Sequence, residues 1–270
     1  MRSPFQWEDK SGRGMPRPYV KQRDALSVKE DDMQTTNLLR ITRIAALALS
    51  LALTSCVTHE TTKPVAPTAG AATYPKDLHG ARLFRVSSAD SSVHILVYRG
   101  GTLASLGHNH VMSSTAITGY VWLGEPLTSS GFDIVVPAND LVIDDNGARA
   151  AEGDDFPLNI SDSAREGTKR HMLEDVQLDG EHYPFITLKA VTIVGTAAAP
   201  QITFNLTLKD QTRAITIPVE LESSERQLHV RGEFEIKQSD FGIKPFSVAM
   251  GAMQVQDAVK IKFDLKAERM

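Results

Sequence analysis

The stretch Ile202-Thr203-Phe204-Asn205-Leu206-Thr207-Leu208-Lys209-Asp210-Gln211-Thr212-Arg213-Ala214-Ile215-Thr216-Ile217-Pro218-Val219 decides the fold. Ile202, Phe204, Leu206 and Leu208 alternate with Thr203, Asn205 and Thr207; after a polar turn from Lys209 to Thr212, Ile215, Ile217, Val219 and Leu221 take up the same period. Side chains repeating every second residue put one face toward a core and the other toward water, which describes half-buried antiparallel strands.

The period continues outward in both directions. Val93, Ile95 and Val97 alternate with His94, Leu96 and Tyr98, and Phe132, Ile134 and Val136 follow the same rule. Phe234 and Ile236 extend the series, and Val259, Ile261, Phe263 and Leu265 close it. One segment departs from it: Ser163-Ala164-Arg165-Glu166 fits a capping box and predicts a short helix over 164–173. Tyr183-Pro184 stops that helix, and strand resumes from Phe185 to Ile193. About eight strands with almost no helix make an all-β fold, an antiparallel lipocalin-like barrel with one short helix, or else a sandwich. No internal repeat or shift of composition divides residues 81–270, which are read as one domain.

Ahead of that domain lies a targeting signal. Ile44 to Leu53 is an apolar run preceded by Arg40 and Arg43 and followed by Thr54-Ser55-Cys56. A basic start, a short apolar core and a small-residue cleavage site describe a secretory signal, and the run falls short of the ~20 apolar residues that span a bilayer. Leu53-Thr54-Ser55-Cys56 also resembles the bacterial lipobox, in which the new N-terminal cysteine is acylated. On this reading 33–55 is the signal peptide and Cys56 the lipid anchor, the chain's contact with a membrane. Residues 56–80, rich in Thr, Pro, Ala and Gly, are a flexible tether. The charged, unpatterned residues 1–32 fit poorly before a signal, so translation is expected to begin at Met33. Val57 after the cysteine, in place of Asp, favours a periplasm-facing anchor in the outer membrane.

Composition removes several function classes. A net charge of −4 without a basic stripe argues against nucleic-acid binding. The single cysteine excludes a disulfide framework and cysteine-rich zinc sites. No G-x-S-x-G elbow or HExxH pair is present, so no enzyme is expected. Asp144-Asp145 and Asp154-Asp155 sit among turn residues and read as solvated loop charge. His108 and His110 are the pair that could carry chemistry. At i and i+2 in a strand they share a face and could ligate zinc or copper, with a further ligand from His94, His171, His182, Asp144 or Asp145. They could equally satisfy hydrogen bonds at a strand start, line the barrel mouth or meet a ligand head group. Tyr120 and Trp122 fit a position at the mouth or a packed one alike.

Six segments in order resemble the YceI-like family, barrels related in shape to lipocalins: Phe84-Arg85-Val86 to Val97, Leu106-Gly107-His108-Asn109-His110, Val136-Pro137-Ala138-Asn139-Asp140-Leu141, Met172-Leu173 to Leu188, Leu206-Thr207-Leu208-Lys209-Asp210-Gln211-Thr212-Arg213 with Ile217-Pro218-Val219, and Gly232-Glu233-Phe234 with Ser239-Asp240-Phe241-Gly242-Ile243. The resemblance spans residues 83–267. It implies an extended antiparallel barrel, export to the periplasm and a polyisoprenoid or related lipid inside the barrel, with no other cofactor. The His-x-His segment departs from the family's usual H-x-G-x-S, so the chemistry of the mouth, and with it the ligand, can differ. Apolar strand positions either fill a barrel or line a cavity, and alternation does not decide which; the resemblance favours the cavity. Its lining is then expected to comprise Val93, Ile95, Val97, Phe132, Ile134, Val136, Phe204, Leu206, Ile217, Val219, Phe234, Ile236, Ile261 and Phe263. The expected function is a non-catalytic carrier or store of a long-chain hydrophobic ligand at the cell envelope. The alternative is a metal-linked or redox-associated accessory protein using His108 and His110. The residues leave the oligomeric state open.

Overall fold

The computed structural model describes residues 70–270. Cys56, the signal at 33–55, residues 1–32 and most of the tether lie outside the described residues.

Among the described residues there are thirteen strands, more than the eight or so expected from the sequence, but they run as eight staves because several staves bend or break. The first stave is β1 (Arg82–Val86) with β2 (Ser92–Gly100), the second β3 (His110–Ser114) with β4 (Thr118–Leu123), and the third β5 (Gly131–Pro137) with β6 (Val142–Ile143). Two helices follow, α1 (Asn146–Glu152) and α2 (Asp162–Met172). The fourth stave is β7 (Phe185–Thr196), the fifth β8 (Ala199–Leu208), the sixth β9 (Gln211–Pro218) with β10 (Glu220–Ser223), and the seventh β11 (Gln227–Lys237). A two-residue strand, β12 (Ser247–Val248), precedes the eighth stave, β13 (Met253–Arg269).

Every strand pairing among the described residues is antiparallel, and together they close a ring. β13 pairs with the first stave on one side and with β11 on the other. From the first stave the order runs through the second and third to β7, β8 and β9. β10 continues β9 and pairs with β11, which completes the circuit. Residues 211–218 of β9 have no hydrogen-bonded partner in β11 among the described residues, so closure is made at one end of the sixth stave. A ring removes the unpaired edges that an open sheet would present.

The ring turns its apolar faces inward. Phe204, Leu206, Ile134 and Phe132 are buried in one continuous cluster with Val86, Ile193 and Ile202. Outside, polar cross-strand pairs occupy the water-facing positions: Thr203–Thr216 and Thr207–Thr212 at 2.9 Å each, and Lys260–Glu233 at 2.9 Å. Gly232 stands directly opposite Phe263, where a Cβ would come within 2.7 Å of the ring, so the missing side chain makes room for the phenyl group.

The helices differ from the sequence reading. α2 begins two residues early because Ser161, not Ser163, is its cap, accepting from the Ala164 N–H at 3.3 Å. α1 was not expected. Asp145 caps it by accepting from Gly147 and Ala148 N–H at 2.8 and 3.1 Å, and an Ala-rich turn follows. α1 and the following Phe156 cover the outer face of β2 and β3, where Leu96 and Val111 are buried against Ala148 and Phe156. β2 is thus apolar on both faces. Glu152 fastens the helix end to the barrel through His94 at 2.7 Å and Lys262 at 2.5 Å. Burial alone would raise the Glu152 pKa; the hydrogen bonds from Lys262 and His94 outweigh it and hold the carboxyl below its ordinary value.

Nor is the end of the tether free. The Thr73 backbone N–H and hydroxyl donate to the buried Asp133 at 3.1 and 3.0 Å, and Tyr74 packs edge-on against Tyr120 with centroids 4.7 Å apart.

Candidate functional site: an apolar cavity with a buried acid–histidine cluster

The barrel encloses a cavity of about 330 Å³, within the ~300–1,000 Å³ typical of small-molecule sites. Of the lining expected from alternation, Val93, Ile95, Val97, Phe132, Ile134, Val136, Phe204, Leu206, Val219, Phe234, Ile236, Ile261 and Phe263 lie on its wall. Ile217 is buried in the core at 5% exposure but is not on that wall. Four aromatic rings form a chain across the wall, with centroids 6.1 Å apart for Phe132–Phe204, 5.5 Å for Phe204–Phe234 and 6.4 Å for Phe234–Phe263. Met112, Leu188 and Ile202 are among the further aliphatic residues of the wall. They obey the same alternation, so that signal could have found them. Trp122 also reaches the wall, whereas Tyr120 packs against Tyr74.

His110 brings a titratable group onto this wall. It opposes Val97 across the β2–β3 pair and so faces inward with it. Asn109, between the two histidines, points the other way and ties neighbouring segments together: its Oδ1 accepts from the Arg99 N–H at 3.0 Å and its Nδ2 donates to the Asp155 carbonyl at 3.0 Å. The Nδ1 of His110 lies 2.8 Å from Oδ2 of Asp144, and the rings of His108 and His110 meet edge-on at 4.5 Å.

Asp144 is the hub of the cluster, and its place overturns the loop reading. It is fully buried, whereas Asp145, Asp154 and Asp155 are exposed. Its φ of +53° turns the chain out of β6 into the α1 cap, a left-handed conformation that Asp tolerates better than most residues. Its carboxylate accepts from the Val111 N–H at 2.9 Å, from His110, and from the guanidinium of Arg149. Arg149 is itself fully buried; its Nε donates to the Pro157 carbonyl at 2.6 Å and its NH1 to the Asn109 carbonyl at 2.8 Å. Burial would raise the Asp144 pKa, but the hydrogen bond and charge of His110, the Val111 N–H and the Arg149 charge outweigh it and lower the value. His108 is lowered too, by burial first and then by the charge of His110, with Asp144 opposing. Its Nε2 is buried without a partner, 3.8 Å from Asp144, too far for a hydrogen bond.

Arg149 was missed by the sequence reading, although Asp145-Asn146-Gly147 before an Ala-rich turn carried the helix-start signal that would have placed it. Of the five further ligand candidates, Asp144 alone joins His108 and His110. His94 lies with Glu152 beside α1, His171 pairs with Glu174 at 2.9 Å, His182 with Asp179 at 2.7 Å, and Asp145 is the α1 cap.

Donor atoms of His108, His110 and Asp144 lie within 4.8 Å of one another, close enough to converge on one cation. Against this stands the electrostatics: Arg149 already neutralises the one carboxylate, and a divalent ion would meet a buried positive charge. As an Asp–His pair the cluster could orient a general base. Among the described residues, however, no hydroxyl or thiol hydrogen-bonds to His110 that it could activate.

A family model for the YceI-like domain matches residues 84–267, well over half of the chain. Among solved structures, BcnA of Burkholderia cenocepacia superposes with a TM-score of 0.50 at 16% identity, over 67% of this chain and 98% of that one, a likeness of fold. The YCEI protein of Campylobacter jejuni matches with a TM-score of 0.41 at 12% identity, over 57% of this chain and 81% of that one. No curated protein matches the chain. The antiparallel barrel, its apolar cavity and the family match agree, and the chain belongs to the YceI-like family, whose barrels bind hydrophobic ligands.

Proposed function

We propose that this protein holds one long-chain hydrophobic molecule, a polyisoprenoid or related lipid, inside its barrel and does not transform it. The observation that carries this reading is the cavity of about 330 Å³ lined almost throughout by aliphatic and aromatic side chains. Burying hydrocarbon there gains roughly 25 cal/mol per Å², enough for micromolar or tighter binding after the costs of ordering. The polar outer face supports a barrel that stands in water and hides its apolar side, unlike a membrane barrel with an apolar belt.

The lipobox at Leu53 to Cys56 supports an envelope lipoprotein, facing the periplasm, with the outer membrane as its site. Among the described residues no helix is long and apolar enough to cross a membrane, so on this reading the anchor is the acylated cysteine. Native mass spectrometry of gently purified protein tests the ligand: one bound species of lipid mass is expected, and a cavity that takes up neither endogenous lipid nor added isoprenoid refutes the proposal. Cys56→Ser tests the anchor. The variant should leave the membrane fraction, and if it still pellets with membranes after a high-salt wash the lipoprotein reading falls.

A further inference from the structure

The cavity is not uniform along its axis. Most of its polar wall residues gather at one end: His110 on β3, Thr168 and His171 on α2, Gln177 just after α2, and Gln238 just after β11. The topology places them together. His110 opposes Val97 near the end of β2, and Gln238 bonds to Gln256 in the part of β13 that pairs with that same end. Gln177 bonds to Lys244, while His171 packs on Phe246 at 5.2 Å, which brings the α2 side to the loop entering β12. Toward the other end the wall passes through the phenyl chain to Leu221, Leu228 and Leu265. Ser130, a polar residue of that end, already accepts from the Gly124 N–H at 2.9 Å.

The polar end offers several hydrogen-bond acceptors. An ionised carboxylate can only accept, so Nδ1 of His110, 2.8 Å from Asp144, carries a proton, and in the neutral imidazole it is Nε2 that holds the lone pair. His171, at the exposed rim of this end, places its Nδ1 2.9 Å from Glu174. The amide nitrogens of Gln177 and Gln238 each donate at 2.8 Å to a backbone carbonyl, of Lys244 and of Gln256, which leaves both Oε1 atoms as acceptors. The His110 ring nitrogen and two amide oxygens therefore offer acceptors at one end of a hydrocarbon cavity, with the Thr168 hydroxyl and the second N–H of each amide as the adaptable members.

We propose that this end is a head-group subsite that selects lipids ending in a hydrogen-bond donor, such as a primary alcohol or amide, over chains ending in hydrocarbon or an acceptor-only group. The proposal rests on the ligand-binding reading above and deepens it. The donor O–H or N–H bonds to the acceptors at the mouth, with His110 Nε2 foremost, while the chain lies along the phenyl groups. Asp144 and Arg149 sit behind His110 as a neutral pair and fix its tautomer, so the recognition needs no charge on the ligand.

The test compares three probes of equal chain, farnesol, farnesyl methyl ether and farnesane, binding to the delipidated full-length protein by displacement of a fluorescent fatty probe. Farnesol should bind about tenfold more tightly than the ether, the scale of one net hydrogen bond in a dry site. His110→Phe should bring the alcohol and the ether within about twofold of each other while leaving farnesane unchanged, which also shows that the variant folds; His110→Gln should keep part of the preference. Equal binding of alcohol and ether to the unmodified protein overturns the proposal and leaves the ligand-binding reading standing. So does a His110→Phe variant that loses all three probes equally, or an alcohol preference that appears only with added Zn²⁺ and vanishes with chelator. Failure of all three probes to bind strikes the ligand-binding reading itself, and the subsite with it.

Discussion

Replacing Asp144 by Ala should be among the most destabilising changes in this domain. The carboxylate is fully buried and receives hydrogen bonds from Val111, His110 and Arg149. Without it the Arg149 guanidinium, also fully buried, keeps only the Pro157 and Asn109 carbonyls, and its charge is uncompensated. Breaking a buried pair from one side costs about 3–5 kcal/mol, against a total stability of about 5–15 kcal/mol. With a urea dependence near the middle of the ~1–3 kcal/mol/M range, the unfolding midpoint should fall by roughly 2 M. The double variant Asp144→Leu with Arg149→Met removes both charges and should recover most of that loss, because neither partner is then stranded. Equilibrium urea unfolding followed by tryptophan fluorescence measures all of these. A single variant that loses less than about 1 kcal/mol, or a double variant as unstable as the sum of the singles, refutes the claim that a buried ion pair organises this site.

Three more predictions follow from the same geometry. Val219 lies on the cavity wall, so Val219→Trp should weaken isoprenoid binding while lowering stability by less than the ~1–3 kcal/mol that overpacking a filled core costs; a large loss of stability with binding intact would show a packed interior. His108 has a folded pKa below its unfolded value near 6.5, so protonation favours the unfolded chain and stability should decline as pH falls below about 6.5. His108→Asn should flatten that limb, and an unchanged pH profile would remove His108 as its source. Asp144 and Glu152 have lowered folded values, so their contribution is present above the unfolded values near 3.9 and 4.3 and is lost as pH falls below them; Glu152→Gln should reduce the loss of stability on acidification from pH 5 to pH 2, measured by thermal melting.

Alternation by itself determined the class of fold and the inward face of most staves. A strand's side chains repeat every two residues, so Phe204 and Leu206, or Val93, Ile95 and Val97, must share a side whatever the strand pairs with. It could not count bends: β1 and β2 are one stave interrupted at Ser87–Ser91, and β9 and β10 are one stave whose two halves bond to different neighbours. Nor could it separate a filled barrel from a hollow one, since Val219 reads the same whether it faces a side chain or a void. The α1 helix was written in Asp145 and the alanines after it, but a seven-residue helix carries too little period to stand out from a loop. The buried cluster was beyond the sequence altogether. His110 and Asp144 are 34 residues apart, and only the β3–β6 pairing sets them face to face. Only the packing of α1 on the outer face of β2 and β3 carries Arg149 to the carboxylate and takes both charges out of water. Whether a carboxylate is solvated loop charge or the hub of a site depends on what covers it, and that is decided by contacts between segments distant in the chain, where local periodicity has no reach.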